Sequence, residues 1–382
     1  MNTPRNGPFR VVMDRLARTI AAFDAQIEHV RRTTPEAYYD CLFEAVPASD
    51  YWVATGRGRT RHIADKTSAS LASTGTPSYF VHAVDALAHF PLLGPKDRVL
   101  LVHRRGEPGD LLNRLLKAIP DGVPVDVISD HPEGWPNRPG VRMTVLAPEP
   151  AAPEIERDLV MLALGDSLVC GLESARKFTE VDFLRDHPKG SLGKNIAAAQ
   201  AGGRGTTVTY LSPPQQALAA LVAERDGIAE LWNRLDEAAV TAWLGIYRRP
   251  WRRVITTGMG KPGYCMRYVA MLANELGRPA FYLHPAEGVH GDLGRIGPDS
   301  LVIAYSHSGE TEEVANILPR MKERRATLLV VTNKPASTLG KAGDAVLQAG
   351  GQEVDPIRKA PTGSTTVALS LVTALVCADM AV

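Results

Sequence analysis

The chain has 382 residues, of which 45% are apolar and 22% charged, a composition typical of a globular protein long enough for two domains. Its formal net charge is +1, so no basic field predicts a nucleic-acid partner or an anionic membrane surface. The four cysteines are scattered, and no apolar run reaches the roughly 20 residues of a membrane span or opens the chain as a signal peptide. These features predict a soluble cytoplasmic protein with reduced thiols and no membrane partner.

In chain order, each half opens with an amphipathic helix. Apolar residues recur at helical spacing from Val12 to Phe23, and again from Leu218 to Leu231. Short apolar runs then alternate with helical patterns, and in the second half these runs are RVITT, AFYLH, LVIAYS and TLLVVT. Because the runs lack polar alternation, they predict strands buried on both faces, and their alternation with helices predicts parallel sheets.

The two halves of the sequence repeat each other. TGRGR begins at Thr55 and TGMGK at Thr257, and GTPSYFVH (75–82) returns as GRPAFYLH (277–284) at the same offset. An internal repeat of this kind indicates the architecture of the whole chain, so it is interpreted before any single motif. The repeat predicts two tandem, doubly wound Rossmann-like α/β domains, each a mostly parallel five-stranded sheet flanked by helices, packed as a pseudo-dimer. A Gly-rich stretch followed by a Pro-Pro pair places the boundary between domains of residues 1–203 and 204–382.

A glycine-rich turn follows the first strand of the second half. Gly258, Gly260 and Gly263 fit the spacing of a dinucleotide-binding loop, which alone is a weak signal. A nicotinamide site also needs an acidic residue about 20 positions further on, at the end of the next strand. Glu287 lies beyond that point, and Lys261 adds a cation to the turn, so the pattern favours a different anionic ligand.

A hydroxyl-rich turn follows the strand LVIAY and opens another helix. Hydroxyls and unpaired backbone N–H groups at a helix N-terminus bind phosphate, because the donors and the helix dipole both favour an anion. The alternative is a capping box running from Ser308 to Glu312, which needs only one hydroxyl. We therefore expect phosphate to bind at this turn, whose residues are Ser306, Ser308, Gly309 and Thr311.

Two further segments of the second half concentrate chemically active side chains. The segment 284–294 follows a strand, where α/β sheets place their ligand crevice, and its density of ligating side chains leaves a metal site open as an alternative. Its candidates are His284, Glu287, His290 and Asp292. The segment 352–366 precedes an apolar helix, where its hydroxyls predict either a second phosphate contact or a helix cap. Its candidates are Glu353, Thr362, Ser364, Thr365 and Thr366.

Taken together, these motifs resemble the sugar isomerase (SIS) domain family, and within it the arabinose-5-phosphate isomerases. The second half contributes GMGKPG (258–263), HPAEGVHGDLG (284–294), SHSGETEE (306–313) and APTGSTT (360–366). The first half contributes HIADKTSASLASTGTPSYFVH (62–82), LALGDSL (162–168) and FLRDHPKGSLGKN (183–195). The fold that this resemblance implies is a five-stranded parallel sheet between helices, in agreement with the strand pattern.

The resemblance also implies roles for single residues. The positions that match phosphate-binding hydroxyls are Ser306, Ser308, Thr311, Ser364 and Thr365, and the other predicted binding residues are Gly260, Gly309 and His290. The positions that match catalytic residues are Lys261, His284, Glu310, Glu353 and His187, the last in a His-Pro-x-Gly segment. We expect Glu353 to act as the base of an enediol mechanism and His187 or His284 to assist ring opening. Neither a metal nor another cofactor is expected.

The two copies have diverged in opposite directions. In the first, Arg59 replaces Lys261 and His103 replaces Ser306, so we expect no phosphate site of the family type there. Arg104 and Arg105 leave anion binding open as an alternative to solvated surface charges. In the second copy, the sequence ends before any His-Pro-x-Gly segment. We therefore expect one composite site per chain, with His187 supplied by the first half.

The sequence thus predicts an aldose–ketose isomerase that acts through a cis-enediol on arabinose 5-phosphate or a related pentose, hexose or heptose phosphate. One alternative is a non-catalytic sugar-phosphate-binding regulator, which the retained acid–base residues disfavour. Another is different SIS-domain chemistry on an amino-sugar phosphate. The expected partner is a small sugar phosphate, and a homodimer with four SIS domains is an assembly that the resemblance allows.

Overall fold

The computed structural model describes residues 7–32, 51–104, 109–130, 141–145, 153–187 and 208–379. In the first half, the described elements alternate between strands and helices as the sequence predicts. The strands are β1 (Trp52–Gly56), β2 (Ser78–Phe80), β3 (Arg98–His103), β4 (Val125–Ser129) and β5 (Val141–Val145). The helices are α1 (Pro8–Arg32), α2 (Thr60–Ser73), α3 (Ala83–His89), α4 (Gly109–Ala118), α5 (Glu154–Arg176) and α6 (Glu180–Asp186).

The second half repeats this alternation. Its strands are β6 (Arg253–Thr257), β7 (Ala280–Leu283), β8 (Ser300–Tyr305), β9 (Thr327–Thr332) and β10 (Ala345–Gln348). Its helices are α7 (Pro213–Arg234), α8 (Glu237–Tyr247), α9 (Lys261–Glu275), α10 (Pro285–Gly288), α11 (Glu312–Glu323), α12 (Thr338–Ala342) and α13 (Gly363–Ala378). None of the described helices combines the length and the apolar composition needed to cross a bilayer.

The two sheets have the same topology. The first has the strand order β2-β1-β3-β4-β5 and the second β7-β6-β8-β9-β10. Every strand pair is parallel, with Thr55 of β1 beside Leu101 of β3 and Thr256 of β6 beside Ile303 of β8. The predicted fold class, two five-stranded parallel α/β sheets flanked by helices, is therefore confirmed.

Each sheet forms its core in the way the strand pattern predicts. All six residues of the central strands β3 and β8 are buried, because helices cover both faces of the sheet. Leu112 and Leu116 of α4 pack against the first sheet, and Val314 and Ile317 of α11 pack against the second. The equivalent helix therefore covers each sheet in the two copies.

The compact units of the fold do not follow chain order. One unit contains the described residues of Met1–Ile20, Asp226–Gln352 and Ser364–Val382, and we call it the second-sheet unit. The other contains those of Ala21–Arg225 and Glu353–Gly363, and we call it the first-sheet unit. The segment that carries Glu353 thus belongs to the unit of the first sheet. The predicted boundary at residue 203 lies outside the described residues and stays a prediction.

Candidate functional site

Three predicted site residues follow three neighbouring strands of the second sheet. Lys261 comes after β6, His284 after β7 and Ser306 after β8, and β6 pairs with both of the other strands. Parallel strands present their carboxyl ends at one edge of a sheet, which is where open α/β sheets bind ligands. The topology therefore brings the lysine, histidine and serine turns of the second sheet to one edge.

The serine turn is built from hydroxyl contacts. Ser306 Oγ lies 2.8 Å from Thr311 Oγ1 and accepts a hydrogen bond from Gly309 N at 3.1 Å. Ser308 Oγ accepts one from Glu310 N at 3.2 Å. Thr311 precedes α11 but makes no side-chain cap bond. Thr311 thus does not cap α11, and the hydroxyls lie where the first N–H groups and the dipole of α11 favour an anion.

The turn is held tightly against β9. Ser306 N donates to Val331 O at 3.3 Å, and Asn333 N donates to His307 O at 3.0 Å. Gly309 has a φ of +65°, and a Cβ there would lie 1.8 Å from Ser337 Oγ. Only glycine combines this backbone conformation with the close approach, so the turn cannot tolerate another residue at this position.

The glycine turn before α9 is fixed by a tyrosine that the sequence analysis did not single out. Tyr282 donates its hydroxyl proton to Gly258 O at 2.6 Å. The Arg267 guanidinium lies 4.8 Å from the centre of the Tyr282 ring. Burial raises the pKa of Tyr282 to about 12, so the hydroxyl remains a donor at neutral pH. Lys261 follows as the first residue of α9.

His284 lies beside this tyrosine. Its ring meets that of Tyr282 edge-on, with centroids 6.2 Å apart. Its Nδ1 is buried and has no hydrogen-bond partner among the described residues. Tyr282 therefore contacts both the glycine turn and a predicted catalytic histidine. The sequence signal for it was its position in β7, two residues before His284.

The hydroxyls at the start of α13 are buried and tied to the second sheet. Ser364 and Thr365 are fully buried. Tyr305, the last residue of β8, donates its hydroxyl proton to Ser364 O at 3.1 Å. The Cys265 thiol of α9 lies 4.0 Å from Thr365 O. The start of α13 is thereby connected to the strand that carries the serine turn and to the helix that carries Lys261.

Glu353 and His187 both belong to the first-sheet unit. The Glu353 carboxylate accepts a hydrogen bond from Thr362 N at 2.9 Å, closing the loop before α13. His187 follows α6, and its ring stacks on Phe183 with centroids 4.1 Å apart. Phe183 packs in one apolar cluster with Ile357, which lies four residues after Glu353. The other His-Pro-x-Gly residues, 188–190, lie outside the described residues.

Two other predicted residues are exposed. The Glu310 carboxylate accepts hydrogen bonds from Thr338 Oγ1 at 2.7 Å and from Thr338 N at 2.9 Å. These bonds lower its pKa and anchor the serine turn to α12. His290 is exposed, and Asp292 pairs with Arg295 at 2.9 Å. Among the described residues, no three His, Cys, Asp or Glu side chains are grouped to hold a metal.

The first copy pairs its cations with its own carboxylates. Arg59, which replaces Lys261, lies 2.7 Å from Asp158 Oδ2 and 3.0 Å from Glu154 Oε2. Arg104 reaches the same Glu154 oxygen at 2.8 Å. Although burial opposes the shift, Arg104 and Arg59 hold the pKa of Glu154 below its usual value. Arg105 lies outside the described residues, so its predicted role is not tested.

The sequence similarity between this chain and known proteins is concentrated in part of its length. Residues 249–378 match the SIS domain family. Arabinose 5-phosphate isomerase KdsD of Pseudomonas aeruginosa is 41% identical over 156 residues, which cover 41% of this chain and 48% of that protein. Arabinose 5-phosphate isomerase KpsF of Escherichia coli O6:H1 is 36% identical over 159 residues, covering 41% of this chain and 49% of that protein. The chain spans about half the length of these curated relatives.

Nearly the whole chain matches the fold of a solved structure. The C-terminal domain of glucosamine-fructose-6-phosphate aminotransferase from Francisella tularensis superposes with a TM-score of 0.61 at 14% identity. The match covers 98% of this chain and 97% of that domain, so the two-sheet architecture as a whole is a known one. The family match, together with the turns at the edge of the second sheet, identifies residues 249–378 as a SIS domain.

Proposed function

We propose that the protein is a sugar-phosphate isomerase that interconverts an aldose and a ketose phosphate, of the arabinose 5-phosphate/ribulose 5-phosphate type. The observation that supports the proposal is the serine turn, in which three hydroxyls lie just before the N-terminus of α11, where a phosphate is favoured. The names of the relatives support this substrate class.

The proposed reaction moves one proton between adjacent carbons. Glu353 removes the proton from C2 of the aldose to form a cis-enediolate, a proton passes from O2 to O1, and the carbon-bound proton returns to C1 as C2 becomes the ketone. Lys261 stabilises the developing enediolate oxygen by charge. His187 or His284 transfers the proton that opens the sugar ring. This assignment comes from the resemblance and needs no metal or redox cofactor.

Deuterium uptake tests the proposed reaction. The protein is incubated in heavy water with a panel of aldose and ketose phosphates of five to seven carbons. Interconversion with deuterium at C1 or C2 is expected for one pair, because the enediol exchanges its proton with the base and solvent. Binding of a sugar phosphate with neither interconversion nor exchange would favour the regulator alternative.

Binding of the substrate's phosphate group is expected to depend on the hydroxyls of the second half. The double variant Ser308→Ala and Thr365→Ala should raise the KM strongly, since hydrogen bonds to a charged group contribute about 1.5–3 kcal/mol each. The matched control is Arg104→Gln in the first copy, which should leave the KM unchanged. Steady-state kinetics check this, and equal increases for both variants would place substrate phosphate in the first copy as well.

Activity is expected to survive removal of divalent metals. The proposed proton transfer needs only side-chain acids and bases, so prolonged dialysis against EDTA should leave kcat within about twofold of the untreated enzyme. Metal analysis by mass spectrometry accompanies the assay. Loss of activity with EDTA, restored by one divalent ion, would contradict the metal-free mechanism.

A further inference from the structure

The segment that carries Glu353 is held by residues of α5, α6 and α7 that belong to the first-sheet unit. Gln216 Nε2 of α7 donates to Val354 O at 3.4 Å. Ile357 N donates to Glu173 Oε1 of α5 at 3.3 Å. Lys359 Nζ pairs with Glu180 Oε1 of α6 at 3.4 Å. We call residues 353–362 the base segment, since the proposed function places the general base there.

Glu173 and Asp355 bring two carboxyl groups into the interior. Glu173 is 0% exposed and Asp355 1% exposed. One oxygen of each accepts a backbone hydrogen bond, from Ile357 N and from Lys359 N at 2.9 Å. The other oxygen of each is buried without a partner among the described residues. A negative charge on either carboxyl would be only partly compensated for the loss of water, which is costly.

The surroundings are acidic as well. The buried Cys170 thiol has its pKa raised by burial and by the charges of Asp355, Glu173, Asp166 and Glu224. Asp166 is paired with Lys66 of α2, and Glu353 itself adds negative charge to Asp355. Carboxyls of α5, α7 and the base segment thus surround this thiol, and the charge of Glu353 disfavours a second negative charge on Asp355.

The direction of both pKa shifts agrees with buried carboxyls that keep a proton in the folded protein. Burial raises the pKa of Asp355 to about 7, and burial together with the charge of Asp355 raises that of Glu173 well above its usual value. The folded pair therefore keeps a proton that the unfolded chain releases near pH 4. Its contribution to stability is complete at acid pH and decreases as the pH rises toward 7, where the proton leaves.

We propose that Glu173 is a positioning residue that fixes the base segment through its bond to Ile357 N, and that ionisation of the buried Glu173 and Asp355 carboxyls loosens the segment. The carboxyl pair acts on the reaction only through the placement of Glu353, and in that respect the inference rests on the proposed function. The retention of a carboxyl, rather than a neutral amide, makes the segment responsive to alkaline pH.

The test uses the full-length protein and the variants Glu173→Gln and Asp355→Asn. Each amide keeps an oxygen acceptor while mimicking the protonated acid, so either variant should fold. Hydrogen exchange of peptides from residues 353–362 is measured at about pH 6 and about pH 8.5, together with the pH profile of kcat. Glu180→Gln is the matched control, because it removes a carboxyl that contacts the same segment outside the pair.

At the alkaline pH, we expect the base segment to exchange at least ~10-fold more slowly in the two amide variants than in the wild type and in Glu180→Gln. The alkaline limb of kcat should move up by about one pH unit or more in the amide variants only. Equal exchange and unchanged pH profiles in all four proteins would overturn the inference. If exchange responds as expected but no sugar phosphate is isomerised, the proposed function fails while the carboxyl pair stands.

Discussion

Replacing His187 with alanine is expected to lower kcat about 10²–10⁴-fold, the effect of losing an acid–base group. The structure places His187 at the end of α6, stacked on Phe183, which packs against Ile357 of the base segment. His187 and Glu353 thus belong to one unit and are connected through one apolar cluster. The resemblance implies a catalytic role for both, and the apolar cluster connects the helix that ends before His187 with the segment that carries Glu353.

The measurement is a double-mutant cycle on kcat with Glu353→Gln. Residues that act as one catalytic unit show strongly non-additive losses, so His187→Ala should have a much smaller effect in the Glu353→Gln background. The control is His89→Ala, which removes a histidine of the same unit that bonds to Tyr79 at 2.6 Å, and kcat should not change. Fully additive losses, or a His187→Ala enzyme of normal turnover, would mean that the histidine is structural.

The fold could be predicted almost completely because its determinants are local and repeated. Apolar runs without polar alternation predict strands that are buried on both faces. Because these runs follow the same order in both halves, the two sheets are expected to have the same strand order. The membership of residues 353–363 in the first-sheet unit could not be predicted this way. It depends on contacts such as Glu173 with Ile357, which lie 184 positions apart and leave no periodic trace in the sequence.

The candidate site was predictable to the extent that its residues belong to turns. The hydroxyls of Ser306, Ser308 and Thr311 meet because one short turn places them together. Tyr282 was missed because a tyrosine in a strand is ordinarily part of the core, and only its bond to Gly258 O reveals its function. Glu310 was expected near the chemistry, and its bonds to Thr338 could not be read from the sequence.

The ion pairs of the first copy could not be predicted from the sequence either. Breaking one of them is expected to cause the largest change in the free energy of unfolding. Lys66 of α2 and Asp166 of α5 pair in the interior, with side chains 1% and 0% exposed. The helices approach closely because Gly165 faces Thr67, where a Cβ would lie 2.3 Å from Thr67 Oγ1. The close approach limits access of water, so the charges must be compensated within the fold, and the ion pair contributes to that compensation.

Asp166→Ala is therefore expected to lower the free energy of unfolding by about 3–5 kcal/mol, because it leaves the Lys66 ammonium buried without its carboxylate. Urea denaturation followed by circular dichroism measures this. The control is Glu323→Ala, which breaks the exposed Arg320–Glu323 pair on α11 and should cost about 1 kcal/mol or less. The double variant Lys66→Met and Asp166→Leu should recover most of the loss, since apolar side chains of similar size avoid the desolvation cost. Equal losses of unfolding free energy in Asp166→Ala and Glu323→Ala would contradict this prediction. They would mean that water reaches Lys66 inside the first-sheet unit and that the buried pair contributes no more than an exposed one.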